Sequence, residues 1–146
     1  MVVSLKSIRE RLEKVESELS LLKEFKELSE EEFLSDVKNV RTAERCFQIA
    51  IDCCHDIANH IIAEYNMTRP DRYQSVFEIL GKEGVFSEDF TEKLKKMARF
   101  RNLLVHLYLK VLPEEVYHNI QNNLLDFETF SKGILKFIEE NPLNDS

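Results

Sequence analysis

A chain of 146 residues with 43% hydrophobic and 32% charged side chains can form one domain with a substantial core, since a domain of about 150 residues buries roughly 68–70% of the surface its unfolded form exposes. Its net charge of −7 argues against general attraction to nucleic acid, and no apolar run approaches the roughly 20 residues needed to span a bilayer. Residues 1 to 11 turn polar too soon for a signal peptide, so a soluble cytoplasmic protein without membrane contact is expected.

The punctuation is that of an all-α chain, because Gly81, Gly84, Pro70, Pro113 and Pro142 fall between periodic segments and no alternating strand pattern competes. Leu5, Ile8, Leu12, Val15, Leu19 and Leu22 recur at steps of three and four, predicting a first helix over about 4 to 27 with a bundle-type seam. Ser29 and Glu32 form a capping box, and Ser35 with Asp36 restarts or continues the helix. A second long helix is thus expected from about 36 to 66. Its apolar arc runs through Val40, Phe47, Ala50, Ile51, Cys54, Ile57, Ala58, Ile61 and Tyr65, broad enough for a central element touched by several neighbours.

Pro70 is expected to open a short third helix bearing Tyr73, Val76, Phe77 and Leu80, closed by Gly81 and Gly84. Ser87 caps a fourth, with Glu88 and Asp89 in its first turn, and Pro113 ends it. The same proline starts a fifth helix with Val116, Ile120, Leu124, Phe127, Ile134 and Ile138 inward. The expected fold class is an all-α antiparallel bundle of about five helices, a four-helix core plus a short helix. It forms a single domain over 1–146, of which about 141–146 is a tail. Cys46, Cys53 and Cys54 contain no Cys-x-x-Cys pair, and Cys46 and Cys53 stand about 10 Å apart along a helix, so reduced buried thiols are expected rather than a disulfide or zinc ligands.

The fourth helix carries the unusual chemistry. Between residues 91 and 110 six cations (Lys93, Lys95, Lys96, Arg99, Arg101, Lys110) face one anion, Glu92, a local excess of five positive charges that leaves the rest of the chain at −12. Arg101 and Tyr108, seven apart, share a face with Leu94, Met97, Leu104 and Val105, which should look into a core or an interface. A guanidinium there must meet a carboxylate, a partner chain or an anionic ligand. Glu44, Asp52 and Asp56 of the second long helix are the available carboxylates. His106 lies four after Asn102, so the Asn amide is placed to orient the imidazole, whereas Arg101 and His106 sit about 140° apart around an ideal helix. A joint site therefore needs long side chains converging over an edge, a local distortion, or a second copy of the helix. Asp52, Asp56 and His60 form a stripe that suits pairing with Arg or Lys of the fourth helix better than a metal, and His55 and His118 are expected on exposed faces.

Arg-x4-His-x-Tyr, with Asn directly after the Arg, resembles the signature of the HEPN superfamily of all-helical ribonucleases, in its HepT-like toxin branch. Residues 43 to 52 and 56 to 62 resemble the second helix of that branch, and the order of elements over about residues 1 to 140 is similar. The resemblance implies a metal-independent endoribonuclease with no cofactor, acting as a homodimer whose motif helices face each other across a cleft. In it Arg101 and His106 are catalytic and Asn102 is supporting. Arg101 would hold the scissile phosphate and His106 would exchange protons near neutral pH. Arg99, on the His106 face, and Lys96 would contact RNA or the second chain. The implied partner is a minimal nucleotidyltransferase antitoxin that adds AMP to the motif tyrosine, here Tyr108, putting charge and bulk beside Arg101. The alternative is a catalytically silent helical module that dimerises or docks such a partner.

Overall fold

The backbone follows the apolar periodicity closely through its first long helices. In the computed structural model, which describes residues 5–142, α1 spans Leu5–Lys26 and buries Ile8, Val15, Leu19 and Leu22 along one seam. Its main neighbour is α3, Val37–Glu64, the spine of the bundle, which also touches every other helix named below except α7 in quantity. Eleven α3 side chains are buried, from Val40 to Ile62, because its apolar arc is wide enough to be covered from several directions. Among the described residues there is no strand, and no helix is long and apolar enough to cross a membrane. Residue 4 of the expected first helix and residues 143–146 of the expected tail lie outside the described residues.

The capping box forms as read, Ser29 Oγ accepting from the Glu32 amide while the Glu32 carboxylate accepts from the Ser29 amide. It starts an element of its own, the five-residue α2, Glu30–Leu34, before Asp36 caps α3. Phe33 fixes this turn by packing against Phe25 and Tyr117. The short third helix begins later than expected: α4 is Ser75–Lys82, Pro70 stands in the preceding loop, and Gly81 lies inside the helix. The turn after it falls to Gly84, whose φ of +79° lies in the left-handed region that suits glycine.

α5, Glu88–His106, is capped by Ser87 as read but stops seven residues short of Pro113. Leu107 leaves helical geometry (φ −123°, ψ 39°), and residues Tyr108–Lys110 form a single 3-10 turn. Leu107, Leu109, Val111 and Leu112 hid this break from periodicity, because a mostly hydrophobic stretch looks continuous whether or not it stays helical. Arg101 and Tyr108 therefore do not share one helical face. The expected fifth helix is two, α6 (Pro113–Asn122) and α7 (Leu125–Glu140). At the break the Asn123 backbone N–H closes the last helical bond of α6, to the Asn119 carbonyl, and the Asn123 side-chain amide donates to Asn119 Oδ1. Cys46 and Cys54 are buried, Cys53 half-buried, and all three are free. Burial pushes the Cys46 thiol up to about 12, so it stays protonated.

Candidate functional site

Arg101 projects from α5 toward α3, where its Nε donates to Asp52 Oδ1 at 2.8 Å. Of the three carboxylates open to it, the packing register selects Asp52; Glu44 pairs with Arg41, and Asp56 with Arg11 of α1. The expected stripe of helix-two acids facing the fourth helix thus holds for Asp52 and fails for Asp56. No group of three or more His, Cys, Asp or Glu side chains able to hold a metal occurs among the described residues.

A second clamp comes from the loop before α4. The Tyr73 hydroxyl donates to the same Asp52 oxygen at 2.7 Å, and the Arg101 guanidinium carbon lies 4.3 Å from the centre of the Tyr73 ring. The His55 ring stacks on Tyr73 at 3.8 Å with 10° between planes. Two groups that close to one ring must occupy its opposite faces, so Tyr73 is sandwiched between His55 and Arg101. His55 is accordingly not on an exposed face as expected: it is half-buried, with Nδ1 3.3 Å from the Asn59 amide and Nε2 buried without a side-chain hydrogen bond among the described residues. Burial lowers its pKa against the opposing pull of the Asp56 and Asp52 carboxylates, which favours the neutral ring. Burial and the Asp52 carboxylate push the Tyr73 hydroxyl far above the usual tyrosine range, which keeps it a donor.

Arg101 Nη1 donates to Asn102 Oδ1 at 3.2 Å, so the motif amide braces the arginine rather than the imidazole. The Arg101 side chain is only 18% exposed, yet Nη2 makes no hydrogen bond among the described residues. Nε and Nη1 are thus tied within the chain, and Nη2 is left for an external acceptor such as a phosphate oxygen.

His106 is the last residue of α5 and is exposed, and Tyr108, on the 3-10 turn beyond it, is 69% exposed. Leu107, Leu109 and Leu112 around it are exposed as well. Lys96, Arg99 and His106 lie within about 80° on the solvent side of α5. Lys96 and Arg99 make no ion pair among the described residues, whereas Lys95 is tied to Glu92. Within one chain the fold does not bring Arg101 and His106 together: one faces α3, the other faces solvent. The structure adds Tyr73 and His55: Tyr73, expected on the third helix, stands in the loop before α4, and His55 is expected on an exposed face, so neither reads from sequence as a neighbour of Arg101.

Residues 15–134 match the family model described as HepT-like, Ribonuclease HepT-like. The mRNA nuclease HepT of Shewanella oneidensis is 34% identical over 83 residues, covering 57% of this chain and 62% of that protein, just under two thirds of its length. The tRNA nuclease HepT of Aphanizomenon flos-aquae is 26% identical over 131 residues, 90% of this chain and 89% of that one. Among solved structures, a tri-AMPylated HEPN toxin of Shewanella oneidensis in complex with MNT antitoxin superposes with a TM-score of 0.83 at 25% identity, covering 89% of this chain and 97% of that chain.

Proposed function

The chain belongs to the ribonuclease HepT-like family, and from that premise we propose that it is an endoribonuclease toxin that cleaves RNA without a metal ion, at a cleft shared by two copies of itself. The observation that carries this reading is the separation of Arg101 and His106: a braced guanidinium whose Nη2 is unused among the described residues and an exposed imidazole on different faces of one helix. A second copy supplies what one chain lacks, Arg101 of one subunit meeting His106 of the partner subunit across a two-fold axis.

In the reaction the RNA 2′-oxygen attacks the adjacent phosphorus, a new P–O2′ bond forms, and the bond to the 5′-oxygen of the next nucleotide breaks. The 2′-hydroxyl loses a proton and the leaving 5′-oxygen gains one; His106 is the group positioned to exchange them. Arg101 holds the phosphate and offsets the charge of its pentacoordinate state, and its ties to Asp52, Tyr73 and Asn102 mean little reorientation is needed at that moment. Lys96 and Arg99 draw the strand to an otherwise acidic molecule. Tyr108, exposed beside the motif, is the acceptor for AMP from a nucleotidyltransferase antitoxin, a reading supported by the AMPylated solved relative.

Incubating the purified chain with cellular RNA in excess EDTA tests this. Cleavage should persist and leave 2′,3′-cyclic phosphate ends, and co-expression with the antitoxin should add AMP mass that Tyr108→Phe removes. Activity that requires a divalent cation contradicts the proposal. The exposed Leu107, Leu109 and Leu112 favour a second reading, a silent assembly module. In that case RNA stays intact and Arg101→Ala abolishes association instead.

A further inference from the structure

On the flank of α5 away from Tyr73, where the break between α6 and α7 meets α3, lies a cavity of about 160 Å³. Apolar cavities of about 150 Å³ admit benzene, so this pocket, open to solvent on one side, can seat one ring of a flat group whose remainder lies at the mouth. Its floor is aromatic: Phe47 and Phe127 are buried, and the half-buried Phe100 stands edge-on to Phe47 at 5.3 Å and 84°. Lys93 and Lys96 stand exposed at its rim.

The polar wall is selective in what it leaves unused. Asn119 spends its amide on the Glu115 carbonyl and on Asn123, whose own Nδ2 is the donor in that pair. The acceptors left without a hydrogen bond among the described residues are Asn123 Oδ1 and the half-buried Asp126 carboxylate, and each asparagine amide also keeps one N–H to donate. A ligand that fits must be flat, must bring neighbouring donors to a carboxylate, and gains from phosphate near the two lysines. Guanine has that pattern, since its N1–H and N2–H₂ lie side by side; adenine, cytosine and uracil each offer a single donor group on that edge.

The pocket is joined to the motif through adjacent residues on two helices. Ile51 lines it and Asp52 clamps Arg101; Phe100 lines it and Arg101 follows. Lys96 and Arg99 lead from its rim over the solvent side of α5 toward His106.

We propose that this pocket binds a guanine base of the RNA close to the cleaved phosphodiester, stacked on Phe100, with its donor edge on Asp126 and Asn123 and flanking phosphate on Lys93 and Lys96. The assignment rests on the ribonuclease reading above for its substrate but is testable apart from turnover. Burial raises the Asp126 pKa, and the neighbouring Lys93 charge opposes the rise.

The test is an NMR titration of the full-length His106→Ala chain with 5′-GMP, 5′-AMP, 5′-CMP, 5′-UMP and inorganic phosphate. GMP should bind at least about tenfold more tightly than the others and move the resonances of Phe100, Asn123 and Asp126, and Asp126→Asn should remove about tenfold of that affinity, as expected for a hydrogen bond to a charged group. Equal responses to all four nucleotides, or to phosphate alone, would overturn the pocket. If Asp126→Asn does not fold, the ranking on the parent chain decides alone. A guanine preference in a chain whose unmutated form leaves RNA intact keeps the pocket and removes the ribonuclease reading; RNA cleavage with no guanine preference does the reverse.

Discussion

Replacing Arg101 by alanine is expected to lower the rate of RNA cleavage by at least about 10²–10³-fold, the range lost when one preorganised charge-stabilising donor is deleted from an active site. His106→Ala should cost as much, by removal of the proton-exchanging group. The two variants part company in stability. Arg101→Ala strips Asp52 of its ion pair, but Asp52 keeps the Tyr73 hydroxyl and is 36% exposed, so the loss is about 1–2 kcal/mol rather than the penalty of a fully buried charge. His106 is exposed at a helix end, and its replacement should change stability by no more than about 0.5 kcal/mol. Initial rates on a defined RNA, alongside circular-dichroism melts of both variants, check the pair. Two inactive proteins of which only the arginine variant melts early is the expected outcome.

Phe47→Ala carries the largest expected effect on folding. The ring is 2% exposed, stands edge-on to Phe100 and tilted against Phe127 at 6.3 Å, and so ties α3 to α5 and α7 at once. Truncating a buried phenylalanine costs about 3–5 kcal/mol, which for a chain of this length lowers the melting temperature on the order of 10 °C. Urea unfolding at equilibrium measures it. A loss under about 1 kcal/mol would mean that this three-helix junction is not where the core is concentrated.

Much of this architecture was legible residue by residue. The seam from Leu5 to Leu22 became α1, and Ser29, Asp36, Ser87 and Pro113 start helices where their side chains or missing amide dictate. Those are local signals, set by groups within one turn of each other. The end of α5 at His106 was not legible, because Leu107, Leu109 and Leu112 continue an apolar pattern through residues that have left the helix. The Arg101 partner was narrowed to Glu44, Asp52 or Asp56 and no further. Choosing among them takes the register of α3 against α5, which is decided by packing and not by either helix alone. The sandwich of His55, Tyr73 and Arg101 joins two long helices and a loop, and no spacing within any one of them encodes it.

The letters of the motif were visible from the start, whereas its geometry is informative for a different reason. A helix that holds its arginine against α3 and turns its histidine to solvent cannot close a site by itself. The most direct test of the shared cleft is to mix Arg101→Ala chains with His106→Ala chains under conditions that let subunits exchange, and to measure RNA cleavage. If each site draws Arg101 and His106 from different subunits, half the dimers are mixed and each mixed dimer holds one intact site of two, so roughly a quarter of the unmutated activity should return. No recovery, with subunit exchange verified, would contradict a cleft built by two chains.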